Sequence, residues 1–336
     1  MTQVLYAYRD DGGVDQSAID EAARLLRAGR LVAIPTETVY GLGANALDAA
    51  AVRSIFAAKG RPTFNPLIVH VLDVTQARAL AKSWPTIADR LVEAFWPGPL
   101  SLVVEKRATV PAEVTGGTST VALRAPAHPI ARAVIAAAGL PIAAPSANRS
   151  NAVSPTTAAH VAASLGGRLD AILDAGPCEV GIESTVIDLT STPTLLRPGG
   201  LSIDIIEALI GPVARRHGAQ DAGLRASPGM LSRHYAPNAD TTLVDAAQLR
   251  DVVTRLPASA RIGVIVRSAA RLRDPRIFAW EVLGDDPAHF AHELYAALHR
   301  IEAAGATHVL LERLPEDSTW EAVADRLTRA AGSIER

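Results

Sequence analysis

The sequence predicts an α/β protein in two parts: a twisted mixed sheet with packed helices over residues 1–210, and a smaller parallel α/β layer over 240–336. Three observations carry this prediction. Short apolar runs of strand length interleave with stretches of helical periodicity. In the first part several strand-like runs follow one another with no helix between them, so the sheet must be mixed. In the second part strands and helices alternate, the pattern of a small parallel layer. At 336 residues the chain is comfortable for two domains.

Asp15 to Ala28 reads as a helix because Ile19, Ala22, Ala23 and Leu26 recur at helical spacing and Gly29 stops it. Leu31–Ile34 is a short buried strand ended by Pro35. Gly41-Leu42-Gly43 reads as a tight turn leading to a helix over Ala49–Ala58. It fits only half of a dinucleotide fingerprint and lacks the acidic residue such a site needs. Strand Leu67–Val71, helix Ile87–Ala94 and strand Leu100–Val104 follow, the last opening after the Trp96-Pro97-Gly98-Pro99 turn. Then come strand Val121–Arg124, helix His128–Ala138, and strand Ile142–Ala144 running into Pro145-Ser146-Ala147-Asn148. Helix Pro155–Ser164, strands Ala171–Asp174 and Thr185–Leu189, a strand ending at Arg197, and helix Ile203–Ile210 complete the first part.

Residues 211–239 have weak apolar periodicity and several glycines and prolines, and read as a linker. Strands Thr241–Val244, Ile262–Val266, Phe278–Val282 and His308–Leu311 then combine with helices Ala246–Leu256, Pro287–Ala304 and Glu321–Ala331.

Composition narrows the function. Net charge is −2, which argues against a general attraction to nucleic acid or anionic lipid. The single cysteine, Cys178, rules out an intramolecular disulfide and a multi-cysteine zinc site. Neither a signal peptide nor a membrane-spanning run is read, so a cytoplasmic location is expected. Only three of 33 basic residues are lysines, and one of them, Lys59, sits two positions before Arg61 between a helix and a strand. A compact ammonium beside a guanidinium suits an oligophosphate, and a solvated surface pair is the alternative.

Other residues gather polar chemistry at strand ends. If Pro35–Tyr40 is extended, the hydroxyls of Thr36, Thr38 and Tyr40 point to one side. Ser146 and Asn148 follow an apolar strand, and Ser154 precedes a helix, where backbone amides can face anions or the side chain can simply cap. Arg124 and Arg197 each end a strand before a proline, placed to fork a carboxylate or phosphate or to form a structural ion pair. His70 ends a strand in the same way. His289, His292 and His299 share one helix without a second ligand cluster and read as incidental.

Taken together, Pro35–Gly43, Lys59-x-Arg61, Asn65–His70, Trp96–Leu100, Ala144–Asn148, Gly181–Thr185 and Leu196–Gly199 resemble the YrdC-like domain. With the Ser227–Pro237 segment and the Rossmann-like C-terminal α/β domain, nearly the whole chain is similar to the long, two-domain threonylcarbamoyl-AMP synthases. The resemblance implies a YrdC-like catalytic domain over 1–210, a linker or lid over 211–239, and condensation of L-threonine, bicarbonate and ATP to threonylcarbamoyl-AMP and pyrophosphate. A downstream tRNA-modifying transfer complex would use the product, and tRNA would not be needed for this step. By resemblance Lys59, Arg61, Asn65, Thr120, the Ala144 backbone, Ser146, Asn148, Ser154 and Arg197 bind ATP, with Lys59 and Arg61 closest to the chemistry. Thr38, His70, Arg124 and Ser184 bind threonine, with Thr36 and Tyr40 on the same wall. Mg2+ is expected with ATP, held by phosphates and water because no carboxylate cage is visible.

Some relatives carry a tyrosine where this chain has Ser232, so the nucleotide contact in the linker is expected from His234 or Tyr235. Ser227–Pro237 is expected to lie across the cavity mouth as a lid, with the distal domain contributing no catalytic group. Two rival readings are a double-stranded RNA-binding module and a carbamoyltransferase. The charge balance opposes the first, and the single cysteine opposes the zinc modules that accompany the second.

Overall fold

The computed structural model describes residues 1–215, 235–268 and 270–332. The first part supplies β1 (Gln3–Tyr6), β2 (Val32–Ile34), β3 (Gly41–Asn45), β4 (Ile68–His70), β5 (Leu100–Glu105) and β6 (Thr120–Arg124). It continues with β7 (Ile142–Ala143), β8 (Ala171–Asp174), β9 (Thr185–Asp188), β10 (Thr194–Arg197) and β11 (Ala214–Arg215). These form one sheet in the order β1-β8-β2-β3-β7-β4-β6-β5-β9-β10-β11. Parallel pairs such as β4–β6 and β5–β9 alternate with antiparallel pairs such as β5–β6 and β9–β10. The sheet is mixed, as the successive strand-like runs require, and it reaches Arg215, inside the stretch read as linker.

The second part adds β12 (Asp240–Val244), β13 (Ile262–Val266), β14 (Ile277–Val282) and β15 (His308–Glu312). Their order is β12-β15-β13-β14, and every pair is parallel. Helices Pro287–Ala303 and Glu321–Ala331 bury Phe290, Leu294, Tyr295, Val323 and Leu327 against this layer.

Gly41–Asn45 departs from the sequence reading: it is a buried strand, not a turn. At Gly43 a Cβ would lie 3.0 Å from Ile142 Cγ2 and 3.1 Å from the Val32 carbonyl oxygen. The glycine therefore permits close approach of neighbouring strands. Two short helices, Val74–Leu80 and Ala112–Thr115, also escaped the periodicity reading because each is too brief to establish a period.

The two parts share an apolar cluster. Val39, Val153 and Ile182 of the first pack with Phe290, Leu294, Tyr295 and Trp320 of the second. Gly181 lies at φ +82°, and a Cβ there would be 2.5 Å from the His292 Cα, so backbone meets backbone at this junction.

Candidate active site

A cleft opens at the start of β3 and around β4 and the ends of β6 and β10. Its lining brings together Thr36, Thr38, Arg61, His70, Arg124, Ala144, Ser146, Ser184, Arg197 and Tyr235, all singled out from the sequence, together with Glu183. The Pro145–Asn148 loop is laid along the start of β3: Leu42 N donates to the Pro145 carbonyl and Ala147 N to the Tyr40 carbonyl.

On one wall Arg124, 3% exposed, is held from three sides. Nη1 donates to Thr38 Oγ1 at 2.9 Å and Nε to the Gly98 carbonyl at 3.2 Å. Nη2 lies 2.7 Å from Glu37 Oε1, a contact ion pair rather than an aligned hydrogen bond. Burial pushes the Glu37 carboxyl up, but Arg124 outweighs it and keeps the group below the usual carboxylate range. Beside it, burial first and Arg124 second push His70 down to about 3. His70 is therefore neutral, and its Nδ1 has no partner among the described residues.

On the other wall Arg197 donates from Nε and Nη2 to the Ser184 carbonyl, at 3.1 and 2.9 Å, and from Nη2 to Ser184 Oγ at 3.1 Å. Ser184 Oγ is also 2.8 Å from Ser101 Oγ. Arg61 points Nε and Nη2 at the carbonyls of Asn65 and Pro66. Asn65 is fully buried, and neither end of its amide is satisfied among the described residues. Such a group costs free energy until a ligand or water meets it.

Other sequence-singled residues stand behind the lining. Lys59 is 3% exposed, and its ammonium donates to the Ser146 carbonyl at 2.5 Å, to the Asn148 carbonyl, and to Asn148 Oδ1 at 3.2 Å. All its donors go to this turn, and its burial excludes the solvated surface pair that the sequence left open. Burial and then Arg61 hold its pKa well below the usual lysine value. Ser146 Oγ donates to Asn148 Oδ1 at 2.6 Å, tying both residues into the same turn.

Tyr40 does not join Thr36 and Thr38. The segment Pro35–Tyr40 is bent rather than extended, so the alternation fails, and the phenol donates to the Gly176 carbonyl at 2.7 Å. Thr120 is half-buried at the start of β6, with its hydroxyl 3.2 Å from that of Thr118, and does not line the cleft. Ser154 donates to Glu183 Oε1 at 2.6 Å. Of the linker candidates, Tyr235 is buried, lines the cleft and takes a left-handed backbone with φ +61°. His234, with the rest of 227–234, lies outside the described residues.

The helix histidines form no metal-ligand cluster among the described residues, as expected, but two of them meet the first part. His292 Nδ1 is 2.8 Å from the Glu179 carbonyl, and His299 Nε2 is 3.0 Å from the Ser154 carbonyl and stacks on His160 at 3.8 Å. Sequence reasoning also passed over Glu37, Glu183 and Arg326. The last two form a buried pair at 2.8 Å across the junction. A signal existed: Arg326 falls on the apolar stripe Val323–Leu327–Ala330, where a solvent-facing arginine does not belong.

The family model described as "Telomere recombination" matches residues 24–199, and that described as "Threonylcarbamoyl-AMP synthase, C-terminal domain" matches 201–332. The threonylcarbamoyl-AMP synthase of Pyrococcus abyssi is 43% identical over 95% of this chain and 95% of its own. That of Bacillus subtilis is 40% identical over 96% of this chain and 95% of its own. Among solved structures, P. abyssi Sua5 complexed with L-threonine superposes with a TM-score of 0.90 at 42% identity, covering 98% of both chains. Escherichia coli YciO superposes with a TM-score of 0.53 at 25% identity over 59% of this chain and 96% of its own. Matched along nearly its whole length by relatives of one activity, the chain belongs to the Sua5/YciO/YrdC family, as a two-domain threonylcarbamoyl-AMP synthase.

Proposed function

We propose that this chain carries L-threonine, bicarbonate and ATP to threonylcarbamoyl-AMP in the cleft described above. The observation that supports the reading is the convergence of three buried arginines on one cleft, Arg124 at the end of β6 and Arg197 at the end of β10 with Arg61 from the loop before β4, beside Thr38, His70 and Ser146. Arg124 suits the threonine carboxylate, because its guanidinium is already fixed by Thr38, Gly98 and Glu37. Arg61, Arg197, Ser146 and the buried Asn65 amide suit the nucleotide and its phosphates.

The threonine amine adds to bicarbonate, giving the N-carbamate and releasing water. A carbamate oxygen then attacks the α-phosphorus of ATP, the bond to the bridging oxygen breaks, and pyrophosphate leaves with its electron pair. No covalent enzyme intermediate is needed. The residues orient two polyanions and neutralise charge developing on the leaving group. A neutral His70 serves by hydrogen bonding rather than as a cation. Mg2+ accompanies ATP. The nearby carboxylates Glu37 and Glu183 are each committed to an arginine, so the ion would be held by phosphates and water, where it would neutralise phosphate charge. A tRNA-modifying complex in the cytoplasm takes the labile product.

The test follows product formation. AMP-linked product and pyrophosphate should appear only when L-threonine and bicarbonate are both present with ATP. Pyrophosphate release that ignores either one would sink the reading.

A further inference from the structure

Glu183 stands between two arginines of different origin. It lines the cleft with Arg197 of β10, and its side chain is buried. Arg326, from the Glu321–Ala331 helix of the second part, reaches across the junction and donates from Nε to Glu183 Oε2 at 2.8 Å, with no exposed surface of its own. Tyr295, also from the second part, donates to the same oxygen at 3.1 Å, and Ser154 of the first donates to Oε1 at 2.6 Å. The Arg326 guanidinium also sits 5.1 Å from the centre of the Tyr235 ring, at the end of the linker.

We infer that Arg326 is a positioning residue for the reaction, holding the Glu183 carboxylate off Arg197 so that Arg197 keeps its charge for the anionic ligand. The inference rests on the reading above only in taking that ligand to be the phosphates of ATP. Its physics is a competition between cations. A buried carboxylate must find a positive partner, because an unpaired charge there is very costly. With Arg326 docked, Glu183 is engaged by Arg326, Tyr295 and Ser154, and Arg197 makes its own bonds to Ser184. Burial pushes the Glu183 carboxyl up, but Arg326 first and Arg197 second outweigh it, so the group remains an anion that needs this satisfaction. Remove Arg326, and the remaining cation at hand is Arg197. Neutralised by Glu183, Arg197 would no longer attract phosphate. The second domain thus acts on the cleft through Arg326 without touching substrate.

The experiment uses the full chain and four proteins: wild type, Arg326→Lys, Arg326→Met, and Arg326→Met combined with Glu183→Gln. Folding is checked by thermal unfolding. Inorganic tripolyphosphate and L-threonine binding are measured by calorimetry, and pyrophosphate release gives kcat and KM. Arg326→Met should weaken tripolyphosphate binding about tenfold or more while changing L-threonine binding less than about twofold. Adding Glu183→Gln removes the competing anion and should recover most of the tripolyphosphate affinity. Arg326→Lys, which keeps a cation for Glu183, should lie between; it carries the measurement if Arg326→Met fails to fold.

Folded variants that bind tripolyphosphate as wild type does, whatever their melting temperature, would reduce Arg326 to a staple between domains and overturn the proposal. So would a double variant no better than Arg326→Met, or a wild type that does not bind tripolyphosphate. A wild type that binds tripolyphosphate but makes no AMP-linked product overturns the proposed reaction instead, and leaves the Arg326 comparison readable.

Discussion

Lys59 Nζ donates to the Ser146 carbonyl oxygen at 2.5 Å, so the ammonium of a lysine-poor chain is spent on the backbone of the loop that forms one lip of the cleft. Lys59 shapes the site by fixing Ser146 and Asn148 in place. Lys59→Ala should therefore lower both activity and stability, since it leaves buried carbonyls unsatisfied at about 1–3 kcal/mol. Urea unfolding beside pyrophosphate release checks this. Full stability with lost activity would return the lysine to a direct phosphate role. Lys59→Arg should not rescue, because a planar fork cannot direct its donors at three acceptors on one short turn.

Arg124→Ala should weaken L-threonine binding by about 2–5 kcal/mol, the loss expected when one member of a buried charged pair is removed. ATP binding should hardly change. Calorimetry that finds ATP affinity falling as far as threonine affinity would exchange the roles of Arg124 and Arg197. Because Glu37 loses its partner, the variant should also be less stable, and adding Glu37→Gln should restore part of that stability without restoring threonine binding.

His70 makes stability depend on acid. Its folded pKa is about 3 against 6.5 for the ordinary group, so the unfolded chain binds the proton first as pH falls. The stability it contributes is complete above about pH 6.5 and drains away toward pH 3, at up to roughly 1.4 kcal/mol per pH unit. His70→Gln should flatten the urea midpoint against pH within that window. An unchanged slope between pH 6 and 4 contradicts the assignment.

Tyr40→Phe separates the bent Pro35–Tyr40 segment from the extended one. With the phenol donating to Gly176 rather than facing the cleft, the change should cost about 1 kcal/mol of stability and leave the KM for L-threonine alone. A raised KM at unchanged stability would put the hydroxyl on the substrate wall.

Most of the first sheet and the whole parallel layer were legible, because apolar strands and amphipathic helices announce themselves by period. Gly41–Asn45 was not, since glycines that allow close strand packing look the same in sequence as glycines that make a turn. The cleft was legible where strand ends carry isolated polar residues, as at Arg124, His70 and Arg197. It was hidden where a side chain acts through a distant partner. Glu183 reads as one acid in a short loop, and only the fold shows that a helix near residue 326 completes it. The direction of the Lys59 charge was equally hidden, because nothing local says that residues 146–148 will lie over its end.

Glu183 and Arg326 are 143 positions apart, and that interval is also a time. A ribosome adding about 5–20 residues per second delivers the arginine roughly 7–30 s after the glutamate. During that wait the nascent first sheet can form, but its cleft wall carries a carboxylate whose distant partner has not been made. The capacity to capture nucleotide should therefore emerge only after residue 326 has been made and its helix has docked, well behind the sheet that carries the cleft.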